Sequence, residues 1–369
     1  MLVVLALALG LAQSPANGGV VQSSSTSAQE TTPEAKLSTS ELAQLQSKAG
    51  TGDAAAQLAL GRAYQDGNGV PQNDELAVKW YRKAAELGNA TAQNNLGIMY
   101  RTGSGVEKSK EEAVKWYRKS ARQGYASAMF NLGTAYYNGD GVPIDDCIAY
   151  AWFLAARENG SKSATAAVIR AESELTSAKM SDALVTLGEM YELGEELPRN
   201  FGESALWYRK AVKLGKPEAR IALAVVLLEG HSVQDYGEAR RSCEHAAKEN
   251  DDRAQYCLGL IYQQGLGLQK DISRATKSYR RAAERGNVPA MLALGEIYST
   301  GENGALDRPE AFIWFIRAAS KGSPGALILA AKLKGTMDKK DLESADEKLH
   351  QSHIDPKKLE AVLQRAGSN

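Results

Sequence analysis

The residues that most often carry out chemistry in proteins are few in this sequence and stand far apart. The four histidines are His231, His245, His350 and His353. The last two are three residues apart, so a helix would place both imidazoles on one face, where they could share a metal ion. A zinc site takes three or four ligands in a defined motif, and no cysteine accompanies this pair. We therefore predict no metal site and no cofactor.

Sequence motifs for hydrolysis and for nucleotide binding are also absent. The chain has no H-E-x-x-H, no P-loop, and no serine three residues before a lysine, which is the spacing of the S-x-x-K nucleophile. The recurring strings "GNGV" and "GSGV" are not preceded by a strand pattern, so they predict turns and not phosphate-binding loops. The sequence therefore predicts a protein that is not an enzyme and has no catalytic residues.

The charge pattern excludes an electrostatic nucleic-acid surface. The 369 residues contain 44 basic and 44 acidic side chains, and lysine and arginine alternate with glutamate at helical spacing. A surface that follows phosphates needs an excess or a stripe of positive charge. The pattern is typical of solvated helix faces, so we predict no nucleic-acid partner.

A repeat of 36 residues sets the positions of the helices. Gly61, Gly97 and Gly133 stand 36 apart, and after an insert of 19 residues the register continues through Gly188, Ala224, Gly259 and Gly295. In five of these seven copies a tryptophan stands 19 residues after the glycine, at Trp80, Trp116, Trp152, Trp207 and Trp314. Ser242 and Ser278 take this place in copies five and six. Such a fixed period indicates stacked repeats.

Each copy contains two amphipathic helices. The first carries Ala92, Leu96, Gly97 and Tyr100 in the second copy, and a glycine-rich turn joins it to a helix centred on Trp116. A glycine inside a helix costs about 1 kcal/mol relative to alanine. Its recurrence predicts that the backbone of a neighbouring helix comes too close for a Cβ atom. Further glycines are predicted to end the second helices, at Gly88, Gly124, Gly215, Gly286 and Gly322.

These patterns resemble a known repeat family. The string A-x-x-x-L-G-x-x-Y-x-x-G-x-G-V, followed by A-x-x-W-Y-x-K-A-A-x-x-G, is similar to the Sel-1-like repeat, a relative of the tetratricopeptide repeat, and segments 56–88 and 92–124 match it at nearly every position. The resemblance covers about residues 40–335. It implies an all-α fold, an α-solenoid in which helix pairs form a right-handed superhelix. It also implies an adaptor that binds other proteins.

The composition changes along the chain and predicts its domains. Residues 1–12 are apolar and are predicted to be a signal peptide, with no stable membrane span after its removal. The other predicted parts are a disordered linker at 13–37, a repeat array with a closing helix at 38–178, a second array at 179–335 and a helical cap at 336–369. The insert 161–180 supplies the closing helix, with a kink near residue 170. One continuous superhelix with a lengthened helix is the alternative.

The three cysteines are Cys147, Cys243 and Cys257. The last two stand seven residues before and seven after Asn250, in the predicted turn between two antiparallel helices, so they would lie at the same height. We therefore predict a disulfide between Cys243 and Cys257, in keeping with export to the periplasm or the medium. Two separate buried thiols remain the alternative. Cys147 is predicted to be a small buried apolar residue.

The resemblance to tetratricopeptide arrays implies that the first helix of each pair lines a concave side. The predicted inward residues stand three before, one after and four after the helix glycine, which is one helix face. They are Asn94, Ile98, Arg101, Phe130, Thr134, Tyr137, Ile221, Val225, Leu228, Tyr256, Leu260 and Gln263. Mixed aromatic, aliphatic and polar side chains suit an extended peptide or an amphipathic helix.

Three functions remain open at this level. The first is an exported, monomeric, non-catalytic scaffold that binds a protein partner on its concave side. The second is a secreted hydrolase of β-lactam or cell-wall substrates, an activity associated with some cysteine-rich proteins similar to this family. The chain has neither their paired cysteines in each repeat nor the serine motif. The third is a structural component of envelope assembly.

Overall fold

The computed structural model describes residues 36–230, 235–248, 251–302 and 304–351. Eighteen α-helices and no strands are present in these residues, so the all-α prediction is confirmed. The predicted signal peptide, nearly all of the predicted linker, and the last residues of the predicted cap lie outside the described residues.

The helices belong to two compact units that meet in sequence between Lys216 and Pro217. In the first unit the helices are α1 (Thr39–Gly50), α2 (Ala54–Asp66), α3 (Asp74–Glu86), α4 (Ala90–Thr102), α5 (Lys110–Ala121), α6 (Ala126–Asn138), α7 (Asp146–Glu158), α8 (Lys162–Glu174), α9 (Ser177–Leu193) and α10 (Phe201–Lys213). In the second unit they are α11 (Ala219–Glu229), α12 (Tyr236–Lys248), α13 (Asp252–Gln264), α14 (Ile272–Glu284), α15 (Val288–Thr300), α16 (Arg308–Ser320), α17 (Pro324–Lys334) and α18 (Lys339–Gln351).

Within each unit the helices pack in the order of the chain. The two helices of each repeat pack together, and the second helix of a pair packs against the first helix of the next pair. The insert forms α8, which packs against α7, and α9 packs against α7 as well. Residue 178, where one repeat array was predicted to end, lies within α9. The charged segment predicted after the repeats begins as α18, which packs against α16 through Ala345 and Leu349.

Polar side chains fix where the helices begin. The side chains of Asn73, Ser109 and Asp145 accept hydrogen bonds from backbone N–H groups in the first turns of α3, α5 and α7. The backbone N–H group of each of these capping residues donates to the carbonyl of the tyrosine that ends the L-G-x-x-Y string, as Ser109 does to Tyr100 at 3.0 Å. Each turn is therefore held at the same point in successive repeats.

The helix glycine is explained by an aromatic ring and not, as predicted, by a neighbouring backbone. A Cβ atom on Gly97 would lie 2.6 Å from Cε1 of Tyr117, and the nearest backbone atom, the carbonyl oxygen of Ala113, would be 3.1 Å away. The same contact joins the helix glycines of five other copies to the rings of Tyr81, Phe153, Tyr208, Tyr279 and Phe315. The sequence analysis followed the tryptophan, while the residue after it fills this space.

The one copy without the helix glycine also lacks the ring. In the pair α11 and α12, Ala224 is fully buried where the other copies have glycine. Cys243 stands where they have the aromatic residue, counting back from Gly259. Alanine is therefore tolerated because no ring needs the space.

The second glycine of each turn brings neighbouring repeats together. Gly105 has a φ angle of +64°, and a Cβ atom there would overlap the backbone of Asp74 and Glu75 at the start of α3. The turn after α4 thus lies directly on the preceding pair. Glycine is required there both by its backbone angle and by this close approach.

The tryptophans pack between repeats. Trp152, Trp207 and Trp314 are buried, while Trp80 and Trp116 are partly buried. Trp116 packs against the apolar cluster of the preceding repeat, which includes Ala77 and Leu96. No indole stands alone on the exterior of either unit.

The second unit contains a disulfide between Cys243 and Cys257, whose Cα atoms are 6.3 Å apart. It joins α12 to α13, and both residues are fully buried. Cys147 is partly buried at the start of α7, and burial raises the pKa of its thiol.

Replacing Gly97 with alanine tests the role of the ring. We expect the Gly97→Ala variant to lose about 1–3 kcal/mol of unfolding free energy, because the added Cβ atom must displace Tyr117. Gly50→Ala is the matched control, since a Cβ atom there meets nothing within 4 Å. Urea unfolding followed by circular dichroism should separate the two, and equal stabilities would contradict the ring contact.

Removing the disulfide should destabilise the second unit. Closing a loop of this length contributes about 3 kcal/mol in the chain-entropy model, so the double variant Cys243→Ala, Cys257→Ala should melt at a lower temperature than the oxidised protein. Cys147→Ala should not change the effect of a reducing agent on melting. Mass spectrometry of non-reduced peptides checks the pairing directly, and two free thiols in the exported protein would refute it.

Candidate protein-interaction surface

Five of the residues predicted to face a partner form one accessible surface in the first unit. Ile98 and Arg101 lie on α4, and Phe130, Thr134 and Tyr137 lie on α6. Arg101 is exposed and the other four are partly buried. We call these five residues the α4/α6 surface.

Asn94 does not belong to this surface, contrary to the prediction. Its side chain is 4% exposed, and its Oδ1 atom accepts a hydrogen bond of 2.9 Å from Nδ2 of Asn131. This bond ties α4 to α6 beneath the α4/α6 surface. The residue therefore positions the two helices and is not available to a partner.

In the second unit most of the predicted inward residues are buried. Ile221, Val225, Leu228 and Tyr256 are each exposed by 3% or less, so the prediction that they contact a partner is wrong for the structure as it stands. Nearly every side chain of α11 is apolar and buried, so this helix has no solvated inner face. The ring of Tyr256 packs against that of Tyr279, with centroids 5.7 Å apart.

Two other predicted positions in α13 are accessible in part. Leu260 is partly buried and remains a candidate contact. Gln263 is already engaged, since it accepts a hydrogen bond from Tyr279 and donates one of 2.9 Å to Glu302. The second unit thus offers one isolated residue where the first offers a continuous face.

The insert helix α8 borders the α4/α6 surface. The Tyr137 hydroxyl donates a hydrogen bond of 3.3 Å to Glu174, and the Arg170 guanidinium lies 4.6 Å from the centroid of the Tyr137 ring. Tyr137 and Glu174 also line a cavity of 290 Å³ between α6, α7 and α8, together with Phe153. The position of Tyr137 therefore depends on the insert, which the sequence gave no means of foreseeing.

A smaller cavity opens between α4, α5 and α6. It has a volume of 160 Å³ and is lined by Arg101, Lys110, Ala113, Val114, Tyr117, Phe130, Asn131, Thr134, Ala135 and Asp140. Lys110 and Asp140 form an ion pair with Nζ and Oδ1 2.5 Å apart. Burial raises the pKa of Tyr117, while the neighbouring Arg101 lowers it to a smaller extent. Three residues of the α4/α6 surface thus surround a polar cavity.

Sequence reasoning missed the polar residues of this cavity. Tyr117, Asn131 and Asp140 were assigned to the repeat pattern or not considered. The spacing of 16 residues between Arg101 and Tyr117, which recurs in other copies, is the signal that could have linked them.

The described ranges contain no cluster of three or more histidine, cysteine, aspartate or glutamate residues that could hold a metal ion. His231 and His353 lie outside these ranges. In the same part of the chain, no helix combines the length and the apolar character needed to cross a membrane.

The chain belongs to the Sel1 repeat family. The Sel1 repeat pattern matches residues 54–89, 90–125, 126–161, 181–216, 252–287 and 288–323, which together make up more than half of the sequence. The copy around Ala224 is not among them, although α11 and α12 pair as the other helices do. Proteins of this family generally mediate protein–protein interactions.

Two solved structures illustrate the similarity. The chain is 33% identical to c5321, a protective antigen of uropathogenic Escherichia coli with an SLR fold, over 85% of this chain and 64% of that protein, with a TM-score of 0.42. It is 28% identical to a Sel1 repeat protein of Oxalobacter formigenes, over 76% of this chain and 90% of that one, with a TM-score of 0.32. A comparison with curated protein sequences gives no significant match.

Two substitutions should separate positioning residues from accessible ones. We expect Asn94→Ala to lower the free energy of unfolding by about 1–3 kcal/mol, because Asn131 would lose a buried acceptor. Arg101→Ala should change it by less than about 0.5 kcal/mol, since the side chain is exposed. Denaturant titrations of both variants check this, and a neutral Asn94→Ala would place Asn94 back among the accessible residues.

Proposed function

We infer that this protein is a non-catalytic scaffold that holds a segment of a partner protein on the α4/α6 surface. The observation that carries this inference is the accessible face itself, where an aliphatic, an aromatic and a cationic side chain lie on two helices fixed by buried contacts. Rigid, mixed faces of this kind suit the capture of an extended peptide or an amphipathic helix. The interactions generally mediated by the Sel1 repeat family support the same function.

The proposed location is outside the cytoplasm, in the periplasm or the medium. The disulfide between Cys243 and Cys257 supports it, because structural disulfides persist in oxidising compartments. The apolar character of residues 1–12 agrees with an export signal. Fractionation of cells that produce the full chain, with mass spectrometry of its amino terminus, would test both points.

The binding surface can be tested by photocrosslinking in the native cell. A photoreactive phenylalanine analogue placed at Ile98 or at Thr134 should give adducts with a protein partner, because both side chains are accessible on the α4/α6 surface. The matched controls carry the same group at Lys79 on α3 or at Lys115 on α5, which are exposed outside this surface. Denaturing electrophoresis and mass spectrometry of the adducts give the readout.

Two results would contradict the proposal. Adducts of equal yield at all four positions would show nonspecific contact, and adducts confined to Lys79 and Lys115 would place the partner on the second helices. Turnover of nitrocefin or of peptidoglycan by the purified protein would instead support a hydrolase.

A further inference from the structure

A tyrosine and a hydrogen-bond acceptor recur together in this chain. The aromatic residue that packs on the helix glycine is preceded, 16 positions earlier, by a residue in the last turn of the first helix. In three copies that residue accepts the tyrosine hydroxyl: Tyr81 donates to Gln65 at 2.5 Å, Tyr208 to Glu192 at 2.6 Å and Tyr279 to Gln263 at 2.8 Å. Each of these buried hydroxyls therefore has its own acceptor within the repeat.

The pair formed by α4 and α5 departs from this pattern. Tyr117 is 1% exposed, and its partner position is occupied by Arg101. A guanidinium group has donors only, so it cannot accept the hydroxyl proton. The Tyr117 hydroxyl has no hydrogen-bond partner among the described residues. Burial raises its pKa, so the hydroxyl keeps its proton and remains a donor at neutral pH.

The surroundings of this hydroxyl form a site for an anion. Tyr117 and Arg101 both line the 160 Å³ cavity that opens on the α4/α6 surface. The other two charged groups of the lining, Lys110 and Asp140, are paired with each other. Arg101 therefore gives the cavity a net positive charge beside the unpaired donor, while Phe130 supplies an apolar wall.

We propose that this cavity binds the carboxylate of a glutamate or aspartate side chain of the partner segment. One carboxylate can accept from both the Arg101 guanidinium and the Tyr117 hydroxyl, and it would supply the acceptor that the other copies build in. The proposal rests on the proposed function, since the segment must lie on the α4/α6 surface. Accessible residues lie on both sides of the cavity, at Ile98 and at Tyr137, which favours a side chain within a continuing segment over a chain terminus.

The test uses a capped amino acid as the probe, N-acetylglutamate N-methylamide, titrated into the full chain while the Nε–Hε resonance of Arg101 is followed by NMR. We expect a saturable shift, with a dissociation constant about tenfold lower than that of the capped glutamine, because a hydrogen bond to a charged group is lost with glutamine. A dissociation constant equal to that of glutamine, or no saturable shift, would overturn the proposal.

The chain itself offers two matched variants that should fold. Arg101→Gln recreates the pair found at Gln65 and Tyr81, and Tyr117→Phe recreates the residue present at Phe153 and Phe315. Both should keep the melting temperature of the parent protein, and both should lose most of the preference for glutamate over glutamine. For Arg101→Gln the backbone amide resonances of α4 replace the arginine signal. A preference that survives in both variants would overturn the assignment of this cavity.

A third probe separates the two sources of carboxylate. N-acetylalanine with a free α-carboxylate should bind more weakly than capped glutamate, and tighter binding would overturn the assignment to a side chain in favour of a chain terminus. Photocrosslinking at Ile98 and Thr134 is read independently. Adducts retained by the Arg101→Gln variant, without any glutamate preference in the parent protein, would refute the carboxylate site and leave the proposed function standing.

Discussion

The packing of an aromatic ring against a glycine in the middle of a helix is the contact on which the structure of each repeat depends. The ring, such as that of Tyr117, lies where the Cβ atom of any other residue at Gly97 would be. The two helices of the pair can then approach until the apolar side chains on both, Leu96 and Ala113 among them, are buried. The cost of a helical glycine, about 1 kcal/mol, is offset by this burial.

The same contact limits what a repeat can vary. The ring places the hydroxyl of a tyrosine at the end of the first helix, so the residue 16 positions earlier must accept it or leave a buried donor unpaired. Gln65, Glu192 and Gln263 meet this requirement, and Phe153 and Phe315 avoid it by having no hydroxyl. In α11 and α12 the ring is absent, and a disulfide joins the position to the next helix instead. Arg101 is thus the member of the series whose chemistry is not explained by packing.

Much of the fold could be predicted because it is local or periodic. The turns, the capping residues and the pairing of helices follow from side chains that act within a few residues, as Ser38 and Glu41 do in the capping box of α1. The glycines that were predicted to end the second helices, such as Gly88 and Gly124, have the expected positive φ angles. The α4/α6 surface could be predicted in part, since Ile98, Arg101 and Phe130 follow from their place relative to the glycine. Asn94 and Tyr256 share that place and are buried, because burial depends on which neighbour each helix meets.

The sequence by itself determined the class of fold, the length of the repeat and the positions of its helix pairs, because a strict period leaves few other ways to bury the same apolar face in every copy. Only the tertiary structure decided which space the glycine keeps free, which predicted residues a partner could touch, and which buried hydroxyl lacks an acceptor. The physical reason is that these properties belong to contacts between helices. A one-dimensional pattern records the type of residue at each position and not the atoms that surround it.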